Sequence, residues 1–389
     1  MSRNPKLLMI SQHFPPELSA STVLVNNILK YYTGDLAAIA GFAYNRYVKG
    51  FIPPCETFYL KPFNNYFVKR IYYKLAPRLR FWNRAQMYRI TKKIKPDIIF
   101  GNYPEIEFFV SSFEVAKKLN IPFYAYFHDL WAENMERSFD KKMAKKWEQK
   151  IVMESKRLIC CTESQQEYYK LKYGRDSDLI SHSIPDEEIF ENYVLNRKYN
   201  EGEIAFVGSL SKPMNLDILK TISKTLLQFP PEFKLCWYPI LPIDKNYLES
   251  IGFDLSRIDI QVIDTETMKE RIKHSEFLLA PLSFRNGSKH EIETVFSNKL
   301  LIYLVSQRPI LVVGPSYSNH AKCASKNGWG YVIDDDNADF LKKKIIELRG
   351  NIGTQEDLVR QAMHEARRRR SSDGASKLYK MVKTDSSLT

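Results

Sequence analysis

Short apolar runs alternate along this chain with longer stretches in which apolar residues recur every three to four positions. In the first half the runs fall at Lys6–Ser11, Leu36–Gly41, Phe58–Leu60, Ile98–Gly101, Phe123–Phe127, Leu158–Thr162 and Leu179–His182. Between them, helical spacing predicts helices over Ala20–Tyr32, Phe67–Lys93 (interrupted at Pro77), Glu105–Leu119, Met143–Ser155 and Glu163–Tyr173. Short unbroken apolar runs suit strands buried on both faces, and their alternation with helices predicts parallel sheets with helices on each side. The alternation lapses over His182–Gly202, which is polar and aperiodic. It resumes with runs at Ile204–Val207, Lys234–Tyr238, Ile258–Ile263, Phe277–Ala280, Ile310–Val313 and Tyr331–Ile333, then helices at Ala338–Leu348 and from Gln355 to about Arg370. The expected fold class is α/β, with two doubly wound Rossmann-like domains facing a cleft. They cover residues 1–185 and 201–370, with a linker at 186–200 and a partly ragged tail at 371–389. A chain of 389 residues suits two cores better than one.

The stretch from Leu278 to Pro315 is the most informative. An apolar strand ends at Ala280-Pro281-Leu282, and a polar loop follows. A helix then carries Lys299, Leu300, Leu301, Tyr303 and Leu304, Arg308-Pro309 closes it, and Ile310–Val313 runs into Gly314. In a βαβ unit of this kind the strand's carboxyl end and the helix start share a crevice, where amide N–H groups and the helix dipole favour a phosphate.

Charge adds a second feature. The formal net charge is +13, and between Lys61 and Lys95 eleven basic residues occur without one Asp or Glu. Among them Lys69, Arg70, Lys74, Arg78, Arg80 and Arg84 are interleaved with aromatics that include Phe81 and Trp82. Such a segment suits an anionic membrane surface, at about 1 kcal/mol per cation. The alternatives are a solvated helix face with inward aromatics, or nucleic acid. No nucleic-acid module accompanies the segment, so nucleic acid is not expected as a partner.

No apolar run approaches the roughly 20 residues that span a bilayer, and the N-terminal run reads as a buried first strand rather than a secretory signal. A cytoplasmic location with peripheral membrane association is expected. The five cysteines show no paired spacing and read as buried reduced thiols. Neither a DxD-like signature nor a His/Cys/carboxylate ligand cluster stands out, so no metal and no cofactor are expected.

Several segments resemble family-four (group one) glycosyltransferases of the GT-B fold, in the family's order and over most of the chain. Ile10 to Glu17, ISQHFPPE, is similar to the family turn after the first strand, although Leu18-Ser19-Ala20-Ser21-Thr22 continues without the usual glycines. Ser21 and Thr22 then either offer hydroxyls to the donor or cap the helix. Lys95 to Phe100, Tyr124 to Trp131 and Arg157 to Ser164 resemble further family segments, as does Ile204 to Leu210 at the start of the second domain. Leu278–Pro315 itself resembles the nucleotide-sugar-binding segment.

The resemblance implies a nucleotide-sugar donor, used as substrate, and retention of anomeric configuration. It places His128 nearest the reacting sugar with Asp129 beside it, the alternative being a histidine bonded within its own loop. The family arginine after Gly208 is Ser209 here, while Lys212 stands for the family lysine, and Arg285 and Lys289 are candidates for the lost charge. The paired family glutamates fall on Thr294 and Ile302. Glu291 and Glu293 are candidate substitutes for the first. Lys299 keeps the basic position, its alternative being a surface lysine whose stem covers apolar side chains. Val295, Phe296 and Ser297 are expected to bring backbone N–H groups to the diphosphate.

The expected activity is transfer of a sugar from a nucleotide-sugar to a polysaccharide or lipid-linked glycan acceptor, independent of metal, at the cytoplasmic membrane face. Lys212, Arg285 and Lys299 would stabilise the leaving diphosphate. Ser209 and Ile302 favour an alternative, a degenerate non-catalytic GT-B protein that binds a membrane or partner. A sugar-nucleotide epimerase is a second enzyme alternative. A nicotinamide oxidoreductase is disfavoured, because no G-x-G-x-x-G follows the first strand.

Overall fold

The computed structural model describes residues 4–17, 19–41, 51–61, 81–104, 106–135, 138–190, 195, 198–285 and 289–387. The chain divides into two compact units, one formed by Met1–Pro185 with Ser371–Thr389 and the other by Asp186–Arg370.

The first unit holds a seven-stranded sheet of β1 (Lys6–Ser11), β2 (Asp35–Ala40), β3 (Glu56–Tyr59), β4 (Ile98–Tyr103), β5 (Phe123–Phe127), β6 (Arg157–Cys160) and β7 (Asp178–Leu179). All pairs are parallel, in the order β3-β2-β1-β4-β5-β6-β7. Side chains alternate between the faces of a strand, so β1 sends Leu8 and Ile10 to one core and Leu7 and Met9 to another. The first core is filled from α3 (Ile106–Leu119) by Phe109 and Phe113, with Trp131 beside them. Helix α2, over 81–94, adds Met87. Helices α4 (Ser138–Glu154) and α5 (Glu163–Tyr173) complete that layer with Ile151 and Tyr169. Thr162, expected to end a strand, instead caps α5 by accepting from the Gln165 N–H.

The opposite face is covered by α1 (Ala20–Leu29) and by the end of the chain. Most of the stretch expected to be a partly ragged tail is instead ordered: Ser371–Ser386 form a helix, called α14 below, whose Ala375, Leu378 and Val382 pack into this core beside Val25 and Ile28. Spacings of three and four place them on one helical face. Asp385 then anchors the last turn. It accepts from Tyr124 Oη at 2.6 Å and from Arg157 Nε at 2.7 Å and Nη2 at 3.0 Å.

The second unit holds six parallel strands: β8 (Asn200–Val207), β9 (Lys234–Tyr238), β10 (Ile258–Ile260), β11 (Ser275–Pro281), β12 (Ile310–Val313) and β13 (Tyr331–Ile333). Their order is β10-β9-β8-β11-β12-β13. Helices α6 (Leu216–Thr225) and α12 (Ala338–Arg349) pack on one face through Ile218, Leu219, Ile222, Leu341 and Ile345. The unit also contains α7 (Lys245–Ser250), α8 (Thr265–Lys273), α9 (Lys289–Thr294), α10 (Asn298–Leu304), α11 (Asn319–Asn327) and α13 (Ile352–Arg368). Both sheets are the doubly wound parallel architecture expected from the alternating pattern.

Candidate functional site

In an open parallel sheet, ligands bind beyond the strands' carboxyl ends where the strand order reverses, because the two following loops diverge there and leave a crevice. The reversal lies between β8 and β11 in the second unit and between β1 and β4 in the first.

At the β8/β11 reversal the Tyr303 hydroxyl spans both strands. It accepts from the Val207 N–H at 2.8 Å and donates to the Leu279 carbonyl at 3.2 Å. This fixes α10 against the sheet and sets the direction of Lys299, one turn earlier on the same helix face. Lys299 Nζ lies 4.8 Å from the centre of the Phe206 ring and has no carboxylate partner among the described residues. Burial pulls its pKa down to about 8. Gly208, directly after β8, has φ of +131°, which disfavours any side chain, and a Cβ there would stand 3.9 Å from Lys299 Nζ. The space before the ammonium is therefore kept open by backbone geometry. The structure brings Gly208 and Lys299 together, 91 residues apart in sequence.

Other expected donor residues take different places. Ser209 and Lys212 are exposed in the loop after β8. That loop is tied to the one after β11: the Ser283 N–H donates to the Met214 carbonyl at 2.7 Å, and Ser283 Oγ to Asp217 at 2.7 Å. Arg285 is 79% exposed, with Nε 3.8 Å from Asp217. Glu293 faces Lys289 and His290 on its own short helix at 3.9 and 3.4 Å, and Glu291 is half-buried in the first turn. The Val295 carbonyl accepts from Asn319, and Phe296 is a core residue under the Arg369 guanidinium, 3.7 Å from its ring centre. The Ser297 N–H, expected at the diphosphate, donates instead to His320 Nε2 at 3.1 Å. Burial, with Lys299 and Arg369 nearby, holds the His320 pKa down to about 3, so its imidazole stays neutral and able to accept. Pattern reading had no signal for His320, since its partner lies 23 residues away on another element.

In the first unit, Thr22 is wholly buried in the α1 cap, where Ser19 Oγ accepts its N–H at 3.1 Å and lies 2.8 Å from its hydroxyl. Ser21 stands at the β1/β4 reversal and accepts from Asn102 Nδ2, on the end of β4, at 3.0 Å. His128 and Asp129 follow β5. His128 is buried, its Nδ1 is 3.1 Å from His182 Nε2, and its Nε2 is buried without a partner among the described residues. Burial and the neighbouring His182 hold its pKa well below the usual imidazole value. Burial raises Asp129 to about 6, and it forms no ion pair among the described residues.

The loop these two residues begin is held from below by Glu148, a fully buried carboxylate on α4. Its Oε2 accepts the Ala132 N–H at 2.8 Å, while Oε1 accepts from Lys172 Nζ at 2.6 Å and Tyr173 Oη at 2.7 Å. Glu133 also accepts from Lys172, at 2.8 Å.

Of the residues expected at a membrane, Lys69, Arg70, Lys74, Arg78 and Arg80 lie outside the described residues. Phe81 and Trp82 are 62% and 43% exposed. Arg84 is not a free cation: it pairs with Glu114 at 2.9 Å and stacks over Phe81 at 4.7 Å. No helix among the described residues is long and apolar enough to cross a membrane.

The class of fold follows from these two doubly wound sheets. Over nearly its whole length the chain is similar to sucrose-phosphate synthase (tll1590) from Thermosynechococcus elongatus, with 14% identity, a TM-score of 0.73, and coverage of 99% of this chain and 100% of that one. It is similar also to a glycosyltransferase from Rickettsia africae ESF-5 (15% identity, TM-score 0.68, 98% and 99% covered). A third similar structure is Anabaena Alr3699/HepE in complex with UDP and glucose (12% identity, TM-score 0.70, 97% and 99% covered). At such identities the likeness is one of fold, the GT-B fold with its two Rossmann-like domains. By sequence, residues 55–187 match the model of Glycosyltransferase Family 4. The resemblance to family-four GT-B glycosyltransferases is borne out by this match and by the fold together. No curated protein matches the chain by sequence.

Proposed function

We propose that this protein is a glycosyltransferase that draws on a nucleotide-sugar donor and passes the sugar to a polysaccharide or lipid-linked glycan acceptor. The observation that carries the reading is the partly desolvated ammonium of Lys299, without a carboxylate partner among the described residues, opposite Gly208 at the β8/β11 reversal. A cation held without an anion is poised for one supplied by a ligand, and a diphosphate fits the position. The family match and the complex of HepE with UDP and glucose support the same donor class.

When the bond from the anomeric carbon to the diphosphate breaks, negative charge grows on the leaving phosphate. Lys299 would meet that charge, with Lys212 and Arg285 reaching in from the two exposed loops. We read the transfer as independent of metal, because the chain's own cations suffice for that task. Retention is what the family resemblance implies. His128 and Asp129 would serve the sugar in the first unit. His128 has one ring nitrogen free for a hydroxyl, and Asp129, raised to about 6, is suited to exchanging a proton near neutral pH.

The exposed Phe81 and Trp82, in a segment rich in cations, support docking on an anionic membrane face beside such an acceptor. Flotation with vesicles containing phosphatidylserine tests this part: failure to bind at low salt removes it.

Calorimetry with UDP and GDP, followed by turnover of UDP-, GDP- and CMP-sugars with and without EDTA, tests the enzymatic reading. Binding in the micromolar to millimolar range and turnover of one donor, undiminished by EDTA, are expected. No nucleotide binding at millimolar concentration refutes it. The second reading, a non-catalytic GT-B protein, is favoured by Ser209 and the half-buried Ile302 in place of two family donor contacts. Nucleotide binding without turnover of any donor would establish it.

A further inference from the structure

We propose that His182 is a positioning residue that holds His128 in a single neutral tautomer and leaves Nε2 as the one ring nitrogen free for a sugar hydroxyl. The inference deepens the reading of His128 as a residue serving the sugar, and rests on it.

The two imidazoles come from segments 54 residues apart and meet at 3.1 Å, Nδ1 of His128 to Nε2 of His182. Each residue is 4% exposed. A contact of that length between ring nitrogens holds one proton, donated by one ring and accepted by the other. Two protons would set donor against donor, and none would set lone pair against lone pair. The partner's choice therefore decides where the remaining proton of His128 sits, as a hydrogen bond at one ring nitrogen generally fixes the state of the other. His128 Nε2 is buried with no partner among the described residues, which is rare for a polar atom in a folded core and typical of a group awaiting a ligand or water.

Neither ring is free to turn away. The Tyr126 ring lies 4.4 Å from that of His128, centre to centre, and Cys161 Sγ donates to the His128 carbonyl at 3.1 Å. On the other side, the backbone after His182 is tied down three times. The Ser183 carbonyl accepts from Asn27 Nδ2 at 3.0 Å, Ser183 Oγ meets Ser371 Oγ at 3.1 Å, and the Ile184 carbonyl accepts the Ser371 N–H at 2.9 Å. Helices α1 and α14 thus hold the positioning ring in place. A histidine needed only as core filling would gain nothing from a second histidine at this angle, since two aliphatic side chains would bury the same space without a polar requirement.

The test is a long-range 1H–15N spectrum of protein labelled at the imidazole nitrogens, with the His128 signals assigned by their loss in His128→Gln. Wild-type protein at neutral pH is expected to show one protonated and one unprotonated nitrogen on His128, without averaging. In His182→Phe the two signals should move towards each other as tautomers mix. In His182→Gln, whose amide can donate or accept, the wild-type pattern should return. Averaged signals in the wild type, or the wild-type pattern surviving in His182→Phe, would overturn the proposal. Should His182→Phe not fold, the wild-type spectrum alone decides. Once a donor is identified, His182→Phe should lower kcat on the order of 10–100-fold with nucleotide affinity unchanged, and an unchanged kcat would count against the proposal. If no donor is ever turned over, the glycosyltransferase reading fails while the tautomer measurement still gives its own answer.

Discussion

Replacing Lys299 with methionine should weaken nucleotide binding and at the same time stabilise the unliganded protein. The side chain keeps its length and loses only its charge. Burial lowers the lysine from 10.5 to about 8. A shift of that size corresponds to roughly 3 kcal/mol at about 1.4 kcal/mol per unit, or about 2 kcal/mol after allowing for the solvent that still reaches the side chain. No carboxylate among the described residues offsets this penalty. Methionine, packed against Phe206, removes it.

Between about pH 8 and the unfolded value near 10.5 the unfolded chain holds a proton that the folded one has released. Wild-type stability contributed by this group therefore rises across that window, and the penalty is fully present below it. Lys299→Met should lack that rise. Urea unfolding at pH 7 and pH 10 reads both effects, with Lys299→Met expected to be about 2 kcal/mol more stable than wild type at pH 7 and near parity at pH 10.

Affinity should move the other way. A diphosphate contact of this kind contributes about 1.5–3 kcal/mol, so the UDP dissociation constant should rise by on the order of 10–100-fold. Because the complex keeps the lysine protonated, wild-type affinity should fall about tenfold per unit above pH 8, and that of Lys299→Met should not. Unchanged affinity together with unchanged stability would refute the reasoning and return Lys299 to the role of a surface lysine.

Other changes test the parts that hold the site. Asp385→Ala removes the acceptor of Tyr124 and of Arg157 Nε and Nη2, leaving Arg157 its Asp178 contact at 3.1 Å, so unfolding free energy should drop by about 1.5–3 kcal/mol in urea titration. Burial pushes the Asp385 pKa up but Arg157 and Tyr124 outweigh it and hold it down, so its contribution should be intact above the ordinary carboxylate range and vanish as pH falls through the lowered value. Tyr303→Phe leaves the Val207 N–H without its acceptor and should lower stability by about 1–3 kcal/mol in thermal denaturation, with a weaker response to UDP because α10 loses its tie to the sheet. Glu148→Ala should leave the Ala132 N–H without its acceptor and Lys172 with Glu133 as its remaining carboxylate, lowering stability by about 1–3 kcal/mol. Hydrogen exchange should quicken at residues 130–133, and an unchanged exchange rate there would remove Glu148 from its role in holding the loop.

Local periodicity was enough to read most of the architecture. The apolar runs at Lys6–Ser11, Phe123–Phe127, Lys234–Tyr238 and Ile310–Val313 are strands with those bounds, because a strand buried on both faces must be apolar along its length. The βαβ unit around Lys299 was legible for the same reason, and the family resemblance located the lysine within it. Helix α14 was not legible: Ala375, Leu378 and Val382, with the partly buried Tyr379 and Met381, are its few apolar residues among Ser, Gly, Lys and Thr, and nothing local shows that a sheet face waits for it.

The chemistry of the site was decided almost wholly by tertiary structure. Strand order, which no single segment encodes, brought Gly208 before Lys299, turned the Ser297 N–H to His320, and closed the pair of His128 and His182. Each of these meetings joins residues 23 to 91 positions apart. Periodicity reports how a segment meets its immediate surroundings, whereas the protonation and hydrogen bonding of a buried group depend on which distant side chain the fold sets against it.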